Sequence, residues 1–345
     1  MALSHDRLPM ALTMGDPAGV GPEIILKAFA GYAAEMQGVC VIGNLAVMQH
    51  HLAQLSAHLP SVIQCHEVLT PADALRVPTG HVPVTNVTPD AAIETGKVSA
   101  AAGRMAADAV TWAARAVLRS EFNALVTAPL HKKALSLAGV TYPGHTEMLQ
   151  ALAAEHLSLP VADLPVRMML SIPGLRVVLV SIHVSLRQAI DAVTTANVLQ
   201  TLQIIHRSWP VLHGRHPRIW VAGLNPHAGE EGLFGLEEIQ VIAPAIALAN
   251  TQGLQVSGPF PPDTVYMQAY QASGADAPDV VLAMYHDQGL IPVKFLGIEH
   301  GVNQTLGLPF VRTSPDHGTA FDIAGQGLAD PSSLLAAVRA ARSSP

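Results

Sequence analysis

Three histidines stand where apolar runs end: His183 after RVVLVSI, His227 after RIWVAGLNP and His286 after VVLAMY. Three imidazoles around a cation with an open coordination position recur in catalytic sites for zinc and other divalent ions. Asp263 or Asp287 could complete or orient such a set. A chain with 17 histidines also puts some at strand ends by accident, so spacing alone leaves the metal reading and the incidental one open. A second group, Lys294, Asn303 and Arg312, brings a cation, an amide and a guanidinium that could hold an anionic substrate. At 144–147, GHTE places an imidazole, a hydroxyl and a carboxylate after a Pro-Gly turn. Thr146 reads there as a helix cap or as a substrate contact. Further on, DHGTAFDIAG adds a histidine, glycine and Asp322, the last expected to be buried.

These side chains need elements to carry them. Short apolar runs at 9–13, 39–42, 124–127, 218–222 and 280–284 have the length and β-branched character of buried strands. Runs 166–172 and 176–182, joined at Pro173-Gly174, read as a hairpin. MGDPAGVGPEI links the first strand to a helix through glycines 15, 19 and 21. Such a loop could bind an anion through backbone N–H groups, although its spacing matches no nucleotide fingerprint, and Asp16 reads as structural. An Ala-rich helix is expected from a Thr95 cap to about Arg119, and another from about Ser185 to His206. Residues 154–163 read as a surface insertion, and most of the segment after Tyr285 as an irregular functional loop. In open α/β sheets ligands bind beyond the carboxyl ends of strands, which is where the three histidines stand.

Composition narrows the class. The 345 residues are 50% hydrophobic, 13% charged and 4% aromatic, with a formal charge of −7, which suits an α/β protein and argues against disorder or nucleic-acid binding. No apolar run reaches the length of a membrane span, and the N-terminal residues lack the layout of a signal peptide. Cys40 and Cys65 have no metal or redox spacing, so a reducing, cytoplasmic setting is expected. His5, His50, His51, His58, His66, His81, His156, His206, His213 and His216 are read as solvated or capping.

The strings YHDQG and VNQTLGLPFVRTSPDHGTAFDIAG, with the motifs above, resemble the 4-hydroxythreonine-4-phosphate dehydrogenase family of vitamin B6 biosynthesis, and the likeness runs from about Leu12 to Leu335. Within it, HGTAFDIAGQGLADPSS resembles the adenosine-binding loop of the β-decarboxylating dehydrogenases. The resemblance implies an isopropylmalate dehydrogenase-like α/β fold with two α/β/α subdomains and a cleft between them. On that pattern residues 1–130 with 305–345 form the first subdomain, and 131–304 the second, carrying the metal ligands and the dimer contact. The family's metal ligands coincide with His183, His227 and His286, and its substrate contacts with His145, Thr146, Lys294, Asn303 and Arg312. Gly318, Thr319 and Asp322 would meet NAD or NADP. The implied protein is a homodimer whose shared site holds zinc, magnesium or cobalt. Its reaction is oxidation and decarboxylation of 4-phosphooxy-L-threonine to 3-amino-2-oxopropyl phosphate. Sibling enzymes act on 4-phospho-D-threonate or 4-phospho-D-erythronate, and a metal-dependent phosphoester hydrolase is the alternative from another class. The general base stays open between a lysine and a metal-bound water.

Overall fold

Strands covered on both faces read as unbroken apolar runs, and β1 (Met10–Thr13) and β2 (Val39–Gly43) are buried at every position. The computed structural model describes residues 8–274, 277–297 and 301–343. Pro22 and Glu23 open α1 (Gly21–Gly31), as helix starts prefer. Asn44 caps α2 (Leu45–Leu55) by accepting from the Val47 N–H at 2.9 Å. His51, expected in solvent, is instead 2% exposed, and its Nε2 lies 2.9 Å from the Pro17 carbonyl. Next come β3 (Cys65–Glu67), α3 (Pro71–Ala74), β4 (Val82–Asn86) and the Ala-rich α4 (Ala100–Leu118). The cap of α4 is Ser99, not Thr95. The Gly96 N–H is held by the Ala18 carbonyl at 2.7 Å, which keeps the preceding residues in a turn.

After β5 (Ala124–Thr127) come α5 (Lys132–Leu137) and α6 (His145–Leu157). The cap of α6 is Gly144, so Thr146 lies in its first turn rather than at its cap. The stretch 154–163, read as an insertion, is the end of α6 and a short 3-10 turn. A Cβ at Gly103 of α4 would lie 2.0 Å from the Ala134 carbonyl oxygen, so α4 and α5 touch backbone to backbone.

Ser185 and Thr194 each cap a helix, so the expected single helix is two: α7 (Leu186–Ala192) and α8 (Thr195–His213). They follow the antiparallel pair β6 (Arg167–Ile172) and β7 (Leu175–Leu179). Next are β8 (Arg218–Ala222), α9 (Ala243–Thr251), β9 (Gln255–Phe260), α10 (Val265–Gln271) and β10 (Val280–Ala283). The segment after Tyr285, expected to be irregular, opens as α11 (His286–Gly297). Gly289 permits this helix: a Cβ there would lie 2.5 Å from Leu179 Cδ2, so α11 packs directly on β7. Leu290 and Val293 of α11 join Leu170, Val177, Leu179, Val281 and Ala283 in the core beneath it. β11 (Val302–Leu306), β12 (Val311–Pro315) and α12 (Ser332–Arg342) complete the elements.

Among the described residues two units emerge: 8–164 with 308–343, and 165–307. The expected crossings near 130 and 304 therefore move to 164 and 307, because α5 and α6 pack on α4. The first unit carries parallel strands in the order β3-β4-β2-β1-β5-β12. The second has the order β11-β6-β7-β10-β8-β9. There β6 runs antiparallel to both β11 and β7, and the other pairs are parallel.

Candidate functional site

In the first unit β5 and β12 run side by side, with Arg312 opposite Leu125. Arg312 is 4% exposed and donates to Thr127 Oγ1 at 2.7 Å. Burial pulls its pKa down to about 10, which leaves the guanidinium charged at neutral pH. His145, the first residue of α6, is partly covered as a residue, but its Nε2 is fully buried. Burial, and then the charge of Arg312, hold its pKa well below 6.5, so the imidazole is neutral at pH 7. A fixed cation, a neutral imidazole and the unspent N–H groups of a helix's first turn together suit a phosphate or carboxylate. Thr146 stands in that turn.

The loop read as nucleotide-binding is tied to α1. Thr319 accepts from the Val20 N–H at 2.9 Å. Glu23, fully buried, accepts from the N–H groups of Gly325 at 3.0 Å and Ala329 at 2.8 Å. Lys27 lies 3.2 Å from Glu23 and donates to the carbonyls of Gly327 and Ala329, each at 2.7 Å. Space at Gly318 is open: apart from its chain neighbours, no heavy atom of the described residues lies within 4 Å of where a Cβ would stand. Asp322, expected to be buried, is exposed, which leaves its carboxylate free to meet ribose hydroxyls. These features fit a dinucleotide.

Two neighbours of this loop escaped the sequence reading as site residues. His131 stacks on Phe321 with centroids 4.9 Å apart. Asp16 has no exposed surface; Oδ1 accepts from the Ala18 N–H at 2.9 Å, and Oδ2 is buried with no partner among the described residues. Burial raises its pKa against the opposing pull of the Ala18 N–H and His131. The Gly-rich context of MGDPAGVG was the available signal for Asp16.

In the second unit His183 and His286 come together, their ring centroids 5.5 Å apart and tilted by 45°. His286 Nδ1 lies 2.7 Å from Asp287 Oδ1, and His227 Nδ1 lies 3.1 Å from Glu230 Oε2. A carboxylate can only accept, so each Nδ1 donates and Nε2 is the ring atom left to meet an ion. This is the carboxylate–histidine pairing found behind metal-bound imidazoles, and the donor set fits a divalent ion. Among the described residues of one chain, however, no three His, Cys, Asp or Glu side chains gather into a metal-holding group. Lys294 is exposed on α11, and Asn303 is half-buried on β11 opposite Leu170.

His227 sits on an unusual backbone. His227, Ala228, Gly229, Glu230 and Glu231 all have positive φ, between 44° and 83°. The left-handed region costs an L-residue about 1–2 kcal/mol, and four of these five are not glycine. The turn closes around Glu238, which is 3% exposed. Its Oε1 accepts from the Leu224 and Asn225 N–H groups at 2.7 Å each, and its Oε2 from Asn225 Nδ2 at 3.0 Å. Beside it a cavity of about 940 Å³ is lined by His227, Asp263 and Asp287 on its polar side and by Met267, Ile291 and Phe295 on its apolar side.

A family model described as pyridoxal phosphate biosynthetic protein PdxA matches residues 35–341. A 4-hydroxythreonine-4-phosphate dehydrogenase of Beijerinckia indica is 47% identical over 331 residues, covering 94% of this chain and 92% of its own length. A D-threonate 4-phosphate dehydrogenase of Salmonella typhimurium is 44% identical over 333 residues, covering 96% and 97%. The crystal structure of 4-hydroxythreonine-4-phosphate dehydrogenase from Klebsiella pneumoniae superposes with a TM-score of 0.85 at 40% identity, covering 97% of this chain and 98% of that one.

Proposed function

Because the chain belongs to the PdxA family, we propose that it oxidises a 4-phosphorylated hydroxy acid with NAD or NADP in the presence of a divalent ion. The first substrate we name is 4-phosphooxy-L-threonine (4-hydroxythreonine 4-phosphate), decarboxylated to 3-amino-2-oxopropyl phosphate. The second is D-threonate 4-phosphate, favoured by the likeness to the Salmonella typhimurium enzyme. The observation that carries the reading is the buried Arg312 guanidinium beside a neutral His145, a built receptor for a phosphate dianion.

In this reading Arg312, His145 and Thr146 bind and orient the phosphorylated end. On the second unit, Lys294 and Asn303 are the further substrate contacts that the family resemblance implies. Gly318, Thr319 and Asp322 hold the adenosine side of the dinucleotide, which when bound accepts hydride from the secondary alcohol. His183, His227 and His286 would hold zinc, magnesium or cobalt, whose Lewis acidity stabilises developing negative charge on substrate oxygen. Asp287 and Glu230 keep the imidazoles of His286 and His227 in the tautomer a ligand needs.

The test follows reduced nicotinamide with each phosphorylated acid, NAD or NADP, and each metal, before and after chelation. Reduction that needs a phosphorylated hydroxy acid and stops on chelation is expected. Phosphate release with no nicotinamide reduction would instead make the protein a hydrolase. Arg312→Ala should raise KM for the phosphorylated substrate about ten- to hundredfold, the worth of one or two charge-assisted hydrogen bonds. An equal loss on the dephosphorylated analogue would remove Arg312 from phosphate recognition.

A further inference from the structure

A backbone outlier that persists must be held in place by its surroundings, and the turn at His227 shows what holds it. Glu238 fills the hollow of that turn. A Cβ at Gly229 would lie 2.7 Å from its Oε2, and one at Gly223 would lie 3.1 Å from its Oε1 and 2.9 Å from Ala228 Cα. Asn225, bonded to Glu238 by backbone and side chain, also donates to Glu237 Oε2 at 2.7 Å. Those bonds anchor the two residues that lead into Pro226 and His227. A second side chain links this turn to the start of α11. Gln288 donates from Nε2 to the Gly223 carbonyl at 2.7 Å and accepts from the Met284 N–H at 2.7 Å. It therefore spans the ends of the adjacent parallel strands β8 and β10, just before the residues that present His227 and His286.

We infer that Glu238 and Gln288 are positioning residues: Glu238 holds the left-handed turn that presents His227, and Gln288 fixes that turn relative to His286. Glu238 spends Oε1 on the Leu224 and Asn225 N–H groups and Oε2 on the Asn225 amide, and Gln288 spends both its polar atoms on backbone groups. Glu238→Gln keeps the size but turns one of the two acceptor oxygens into a donor, which cannot accept from the N–H group it faces. The geometry of the imidazoles is what changes, while the core beneath remains apolar and intact.

The inference rests on the metal reading above, so its test has two independent readouts on the full-length protein. The first is zinc and cobalt binding by calorimetry, with the cobalt absorption spectrum recorded alongside. Glu238→Gln and Gln288→Leu should each weaken binding about tenfold, as loss of an outer partner does at metal sites. In a His227→Ala background, Glu238→Gln should have no further effect on affinity; an undiminished effect there overturns the role assigned to Glu238. The second readout is the histidine ring NMR spectrum of the metal-free protein. Glu238→Gln should shift the His227 signals and leave those of His145 in place. An unmoved His227 signal overturns the inference whether or not the protein binds an ion. Wild-type protein that takes up neither ion defeats the metal reading separately, and the NMR arm still decides whether Glu238 holds the turn.

Discussion

Single imidazoles in this molecule are kept neutral by burial, and that has a consequence for acid stability. His145 is held well below 6.5 by burial first and by Arg312 second. His213, near the end of α8, is pushed down to about 4 by burial first and then by Arg176 and Arg215. A histidine with a depressed folded pKa favours the folded state fully above its unfolded value, 6.5 here. As pH falls below that, the unfolded chain takes up protons that the folded chain refuses. Stability then declines until the folded pKa is reached, at a limiting slope of about 1.4 kcal/mol per pH unit for each such group, and less where a ring keeps some solvent contact. The melting temperature should therefore fall between pH 6.5 and about 4. His213→Gln should flatten that fall. A variant whose slope matches the wild type would exclude His213 as a contributor.

At the scale of elements, α1 serves the 318–329 loop as a buttress. Glu23 accepts two backbone N–H groups from that loop while paired with Lys27, all without exposed surface of its own. Glu23→Ala would leave the Gly325 and Ala329 N–H groups and the Lys27 ammonium without their shared acceptor. Breaking such a buried set costs about 3–5 kcal/mol. Urea unfolding should register that loss, and hydrogen exchange should quicken at 325–329; a loss under about 1 kcal/mol would show that the loop holds itself. The strands that position the candidate residues were readable because their signal is local: an apolar run at 280–284 followed by a polar break needs no distant partner. The Glu23 and Glu238 contacts were not readable, since they join residues about 300 and 14 positions apart through backbone groups that have no residue code. Ser99 and Thr95 both precede the same Ala-rich run, and it is Ser99 Oγ that accepts from the Ala102 N–H, while the Gly96 N–H is bonded to Ala18. α11 was hidden by Gly289 and Pro292, residues that usually break helices. Of the candidate site, the proximity of His183 and His286 lay within reach of residue type and strand position. The left-handed turn at His227 did not, because alanine and glutamate carry no signal for positive φ.

At the scale of the whole molecule, the second unit carries an apolar surface that a lone chain has no reason to keep. Phe295 is 89% exposed, Ile291 65% and Met267 54%, and all three line the cavity that also holds His227, Asp263 and Asp287. Contiguous exposed apolar surface of this kind marks an interaction site. The same face presents donor atoms that, among the described residues of one chain, do not complete a metal-holding group. A second copy of the chain, the homodimer that the family resemblance implies, would answer both needs at once, covering the aromatic and aliphatic side chains and supplying a further ligand. The protein should therefore run in solution at twice the chain mass of 36.2 kDa by light scattering. Phe295→Glu combined with Ile291→Asp should shift it to the mass of one chain. Both positions are exposed, so the circular dichroism spectrum should stay as it is. Zinc uptake should fall with dimerisation, because ligands divided between copies lose their common centre. Wild-type protein at the mass of one chain, or a monomeric double variant that binds zinc as tightly as the wild type, would refute a site built from two subunits.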